Sequence, residues 1–170
     1  MKRSILFGLI FYLTSSVLWG QVAGNMNCMS CRVRSIIGGG NEFLSAGAFS
    51  IRMGQYEEGI RLTELGLTKY QPNLGDRAVA QSNLCAAHAA RGQPVVAIEY
   101  CTESIRLQER NWRAYNNRAY SYYLLGLLSE ASLDLDVATQ INSDARQVIQ
   151  LRGMINERGL RPRVIMEDHQ

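Results

Sequence analysis

The chain has 170 residues, 46% of them apolar and 19% charged, with a formal net charge of +3. That is enough chain for a domain with a hydrophobic core, and too small a basic surplus to hold a phosphate backbone, so nucleic acid is not an expected partner. It carries two histidines, no Gly-x-Ser-x-Gly turn, and a glycine run (Gly38 to Gly40) without the lysine and hydroxyl of a phosphate loop. An enzyme is therefore not expected, and no cofactor is implied.

Lys2 and Arg3 precede the apolar run Ile5 to Leu13, and small residues follow up to Gly24. A basic start, a short apolar centre and small residues at a cut site describe a secretory signal peptide over residues 1–24. The run falls short of the roughly 20 apolar residues that span a bilayer; an uncleaved membrane anchor is the alternative. Removing residues 1–24 takes both basic side chains away and lowers the formal charge from +3 to +1. The expected destination is a bacterial periplasm, with no membrane contact after cleavage; a eukaryotic secretory route is the other option.

Residues 25–40 read as an extended lead ending in a glycine hinge. Cys28 and Cys31 form half of a metal knuckle, but no second pair stands at ligand spacing, and Arg32 occupies the place where haem attachment needs histidine. In an oxidising compartment these thiols are expected to bridge locally or to pair with another chain. A thiol-redox or metal-binding module centred on them is the competing functional class.

From residue 41 onward the pattern is helical. Gly54, Gly92 and Gly126, spaced 38 and 34 residues apart, each separate two runs of helical periodicity. Around the last, Tyr115, Ala119 and Tyr122 precede the turn, and Leu128, Ala131, Leu135 and Ala138 follow it. Four extra residues fall in the turn-rich stretch QPNLGD (71–76), where length is cheap. A final helix is predicted over 143–159, capped by Ser143, with Val148, Ile149 and Ile155 covering the end of the stack and a tail over 160–170.

These residues resemble the tetratricopeptide repeat, a helix-turn-helix unit of 34 residues. Asn117-Arg118-Ala119, Leu125-Gly126 and Glu130-Ala131 carry the match in the last copy, and Pro94 with Ala97 in the middle one. The first copy is degenerate, with Gly59 and Gly66 where the family prefers alanine; Gly47, Cys85 and Ala119 take the tight-contact site. The resemblance implies an all-α fold: antiparallel helix pairs stacked as a short right-handed solenoid over residues 41–142, in units of about 41–73, 77–110 and 112–142.

It further implies a non-catalytic scaffold that binds a protein or peptide segment on its concave face, lined by the first helix of each unit. Asn83 and Asn117 are the asparagines expected to reach such a ligand, because an amide donates to and accepts from a peptide backbone. Arg113, Asn116, Tyr120 and Tyr123 are expected to share that face. The family's carboxylate-clamping subclass has polar groups where this chain has Leu44 and Ala48, and a basic residue where it has Asn117, so a clamp of that kind is not expected. His88 is expected to pack between helices.

The same resemblance brings Cys85 and Cys101 together. Cys85 precedes Gly92 by seven residues on the first helix of its unit and Cys101 follows it by nine on the second, which places them at similar heights along the pair. Two buried free thiols are one outcome. Export favours the other, a disulfide.

Overall fold

A computed structural model describes residues 41–160 of the chain. The expected signal peptide, the lead with Cys28 and Cys31, and residues 161–170 of the tail lie outside the described residues. Among the described residues there are seven α-helices and no strand. Helices α1 (Glu42–Arg52) and α2 (Tyr56–Tyr70), α3 (Leu74–Ala90) and α4 (Pro94–Leu107), and α5 (Trp112–Leu125) and α6 (Leu128–Ile141) form antiparallel pairs, and α7 (Arg146–Leu160) packs on α5 and α6. The fold is an all-α, right-handed solenoid of stacked helix pairs.

Local chemistry sets the helix ends. Gly54, Gly92 and Gly126 have φ of 80°, 74° and 79°, the left-handed conformation that glycine adopts without a Cβ penalty. At α1, the Asn41 side chain accepts from the Leu44 amide at 2.8 Å, satisfying a donor that the first turn would leave open. Pro94 starts α4, where its missing N–H is not needed.

Two boundaries differ from expectation. The QPNLGD stretch is not all linker: the Asn73 side chain accepts from the Asp76 amide at 2.9 Å, so Leu74, Gly75 and Asp76 form the first turn of α3, which begins ahead of residue 77. An asparagine cap outweighs the glycine behind it. Helix α7 starts at Arg146, because the Ser143 hydroxyl bonds Asp144 rather than capping the helix. Val148, Leu151 and Ile155 form its buried stripe, while Ile149 is 60% exposed and covers nothing. Helical spacing of three and four joins 148, 151 and 155; residue 149 falls off that stripe.

In the α1–α2 pair, Gly47 and Gly59 let two backbones meet. A Cβ on Gly47 would collide with Thr63 Oγ1 and lie 3.0 Å from the Gly59 carbonyl oxygen; one on Gly59 would collide with Ile51 and lie 3.0 Å from the Gly47 carbonyl oxygen. The departure at Gly59, together with Gly47 at the tight-contact site, is thus the means of a close approach.

The core is continuous from α3 to α7, through Cys85, Ala97, Cys101, Ala119, Ala131, Leu135, Ala138, Val148 and Leu151, with Ile51, Ile60, Leu84 and Ala87 tying α1 and α2 to α3. The Cys85 and Cys101 sulfurs lie 2.09 Å apart, at bonding distance, with Cα atoms 5.3 Å apart; both residues are fully buried. Polar ties add to this core. The Ser104 hydroxyl donates to the Ala78 carbonyl at 2.6 Å and accepts from the Asn111 amide at 3.0 Å, joining α3, α4 and the start of α5. Arg118 grips Asp134 on α6 with two nitrogens, at 2.7 and 2.8 Å, and reaches Thr102 on α4 at 3.2 Å.

Candidate peptide-binding face

Successive first helices lie side by side, α1 on α3, α3 on α5 and α5 on α7, while each second helix packs on the first helix of its own pair and of the next. The first helices therefore form one layer, and its outward arc is the candidate site. Cys85 and Ala119 mark the arc that faces the second helices. At about 100° per residue, Asn83 and Asn117 lie roughly 160° around from them, and Ala86 and Tyr120 about 100° around.

Four of the six expected contact residues, on α3 and α5, are buried: Asn83 is 2% exposed, Asn116 and Asn117 0%, and Tyr120 4%. Arg113 and Tyr123, at the two ends of α5, are half-buried. The Asn117 amide nitrogen reaches the carbonyl oxygen and hydroxyl of Ser82 at 3.2 and 3.3 Å, so this asparagine also joins α5 to α3. Ser82 was not singled out in the sequence, where a serine within a helix gives no signal of such a bond.

At the C-terminal end of α5 the Tyr120 and Tyr123 rings stack at 6.4 Å. Arg158, from α7, lies over the Tyr123 ring at 4.9 Å and donates to the Tyr123 carbonyl at 2.6 Å. At the other end the Arg113 guanidinium lies 4.4 Å over the Trp112 ring, and burial holds it below the ordinary arginine value. The site thus has tyrosines at one end, an arginine at the other, and amides and small side chains between.

Away from this layer, His88 stacks on Tyr100 at 5.0 Å and pairs its Nδ1 with Gln93 Oε1 at 2.8 Å, a packing role between α3 and α4. Among the described residues no group of three or more His, Cys, Asp or Glu is placed to hold a metal ion, and no helix is long and apolar enough to cross a membrane. Cys28 and Cys31 lie outside the described residues.

No family model matches the chain. Two curated relatives are DnaJ homolog subfamily C member 3 of Rattus norvegicus, 24% identical over 118 residues, and of Homo sapiens, 25% identical over 109 residues. The alignments cover 69% and 64% of this chain but 22% and 21% of the relatives, so the chain spans about a fifth of their length. Among solved structures, the first TPR of Spaghetti (RPAP3) bound to the HSP90 peptide SRMEEVD matches with a TM-score of 0.58 at 20% identity, over 66% of this chain and 86% of that one. The second TPR domain of human RPAP3, in complex with the HSP70 peptide SGPTIEEVD, matches with a TM-score of 0.58 at 22% identity, over 67% and 92%. The chain has the fold of tetratricopeptide repeat domains.

Proposed function

We propose that this chain is a non-catalytic binding module that takes a segment of a partner polypeptide along the row formed by its first helices. The observation that carries this reading is the side-by-side layer of first helices, α1 on α3 and α3 on α5, with Asn83 on α3 and Asn116, Asn117 and Tyr120 on α5. Carboxamides and a phenol suit a peptide, whose backbone offers donors and acceptors at regular intervals. The RPAP3 domains of the same fold hold HSP90 and HSP70 peptides, which supports a peptide ligand as a class.

The test is an array of overlapping peptides from proteins of the native compartment, probed with the purified chain and then with a variant carrying Asn117→Ala and Tyr120→Ala. Peptides captured by the wild type and lost by a folded double variant support the row as the site. Equal capture by both proteins would place the ligand elsewhere.

Export belongs to the same proposal, with residues 1–24 as a signal peptide. Its support is the basic start, short apolar run and small residues of that stretch. Fusing residues 1–27 to a reporter should yield a shortened product across the membrane; full-length reporter in the cytosol would overturn it.

A further inference from the structure

We propose that the groove over Gln81, between the second helices α2 and α4, takes a lysine side chain of a partner polypeptide. This site is separate from the row of first helices and does not depend on it. Phe43, Gln81 and Tyr115 each precede by four residues the tight-contact residue of their unit (Gly47, Cys85 and Ala119), so they repeat at one position of the stack. In α1 and α5 that position carries a ring: Phe43 packs on Tyr70 at 5.4 Å, and Tyr115 packs against the core. In α3 it carries a carboxamide, and open space adjoins it on both sides. Two cavities meet at Gln81, one of about 450 Å³ beside Leu67 and Arg77, the other of about 370 Å³ beside Val96, Glu99 and Tyr100. Arg77, Val96 and Glu99 are exposed there. The side-chain oxygen of Gln81 is buried and has no hydrogen-bond donor among the described residues.

Charge and shape decide the occupant. Glu64 on α2 and Glu99 on α4 are exposed and form no ion pair among the described residues. Burial first, and then these two carboxylates, hold the Tyr100 phenol above the ordinary tyrosine value, so both lie within electrostatic reach of its hydroxyl. Glu103, the other carboxylate at this cavity, is already gripped by Arg106 at 2.6 and 2.7 Å and is lowered by Arg77 as well. The Tyr100 end of the groove therefore keeps two negative charges without a cation. A lysine answers each feature. Its four-carbon stem can lie along Val96 and the Tyr100 ring, and its ammonium brings donors for the Gln81 oxygen and for the carboxylates. An acidic side chain would be repelled there, and an apolar one would leave the Gln81 oxygen without a donor. One side chain does not fill both cavities, so the polypeptide that carries it continues past Gln81 toward Leu67, where Arg77 can donate to its backbone carbonyls.

NMR titration of the full, isotope-labelled chain tests this with two end-blocked peptides, GSGKGSG and the same peptide with norleucine in place of lysine. The lysine peptide should shift the side-chain amide signals of Gln81 and the backbone signals of residues 96–103, with an affinity at least about tenfold above that of the norleucine peptide. Gln81→Phe, which gives α3 the ring borne by α1 and α5, should abolish the binding. Because a larger side chain could disturb α3, Glu64→Gln with Glu99→Gln serves as a second variant at exposed sites. It should bring the two peptides within about twofold of each other, since the charge being read is gone. Butylamine, an ammonium and stem without a backbone, should bind at least about tenfold more weakly than the lysine peptide. Equal binding of butylamine assigns the groove to a small amine and overturns the polypeptide partner. Equal binding of the norleucine peptide overturns the basic ligand. Shifts confined to other residues, binding that survives in folded Gln81→Phe, or no shift from either peptide overturns the groove as the site. None of these results bears on the first-helix row, whose own test uses Asn117→Ala with Tyr120→Ala.

Discussion

The carboxamide of Asn117 on α5 bonds the carbonyl and hydroxyl of Ser82 on α3, 35 residues earlier, across the seam between two helix pairs. A residue nominated for ligand contact is therefore also a fastener of the scaffold. Asn117→Ala removes one hydrogen bond from a buried carbonyl that keeps its own helical donor within α3, a change that costs about 0.5–1.5 kcal/mol. A thermal melt should show the loss, at roughly 2–8 °C per kcal/mol for a chain of this size. Ser82→Ala should cost less, because the carbonyl keeps both donors. Equal melting of Asn117→Ala and wild type would remove the fastening role. Binding data for Asn117→Ala have to be read on the folded fraction.

Arg118 and Asp134 form the best-shielded ion pair among the described residues, with side-chain exposures of 19% and 9%. Hydrogen bonds to Asp134 come first among the causes that hold the Arg118 guanidinium above its ordinary value. A group whose folded value is raised stabilises fully below its unfolded value. The pair should therefore contribute undiminished at neutral pH and fade only in strong alkali. Arg118→Ala leaves a buried carboxylate without its partner and should lose up to about 3–5 kcal/mol. The double change Arg118→Met with Asp134→Leu should recover most of that in urea melts, which separates the worth of the pair from the penalty of an orphaned charge.

Much of the helix plan was legible. Gly54, Gly92 and Gly126 announced three turns because glycine alone takes that backbone conformation at no cost, and all three have it. The start of α3 was misplaced because Gly75 and Asp76 read as turn residues, when the cap at Asn73 decided the matter. Ile149 was assigned to the buried end of the stack on its apolarity alone, and its position around α7 turns it outward. For the candidate site, the resemblance to the tetratricopeptide repeat pointed to Asn83 and Asn117. It could not give the bond to Ser82, which depends on how two helices 35 residues apart are offset along their axes.

Glycines in this chain should respond to alanine in opposite ways. Gly59→Ala puts a methyl group against Ile51 and the Gly47 carbonyl, and overpacking of this kind destabilises by about 1–3 kcal/mol. Gly153, within α7, is exposed and has no atom within 4 Å of where a Cβ would sit. Gly153→Ala should stabilise by about 0.4–1 kcal/mol through helix propensity and a less disordered unfolded chain. Chemical denaturation of the two variants beside wild type checks both signs. A stabilising Gly59→Ala would mean that α1 and α2 are less closely apposed than described.

The last prediction concerns Cys85 and Cys101. Their Cα separation of 5.3 Å falls in the range that a bridge requires, and Ala97 and Ala119 beside them in the core leave the pair enclosed. Sixteen residues separate the two cysteines in sequence. Closing a loop of that length restricts the unfolded chain and should contribute about 3 kcal/mol. Unreduced protein, alkylated and digested, should yield one peptide pair linked through Cys85 and Cys101. Both residues are fully buried, so a mild reductant should leave the bond intact in the folded chain and break it once denaturant is added. Replacing both cysteines by alanine should then lower the unfolding midpoint without changing the helical circular dichroism at room temperature. Recovery of both cysteines alkylated from protein purified under oxidising conditions would reject the bond and leave two buried thiols acting as small apolar side chains.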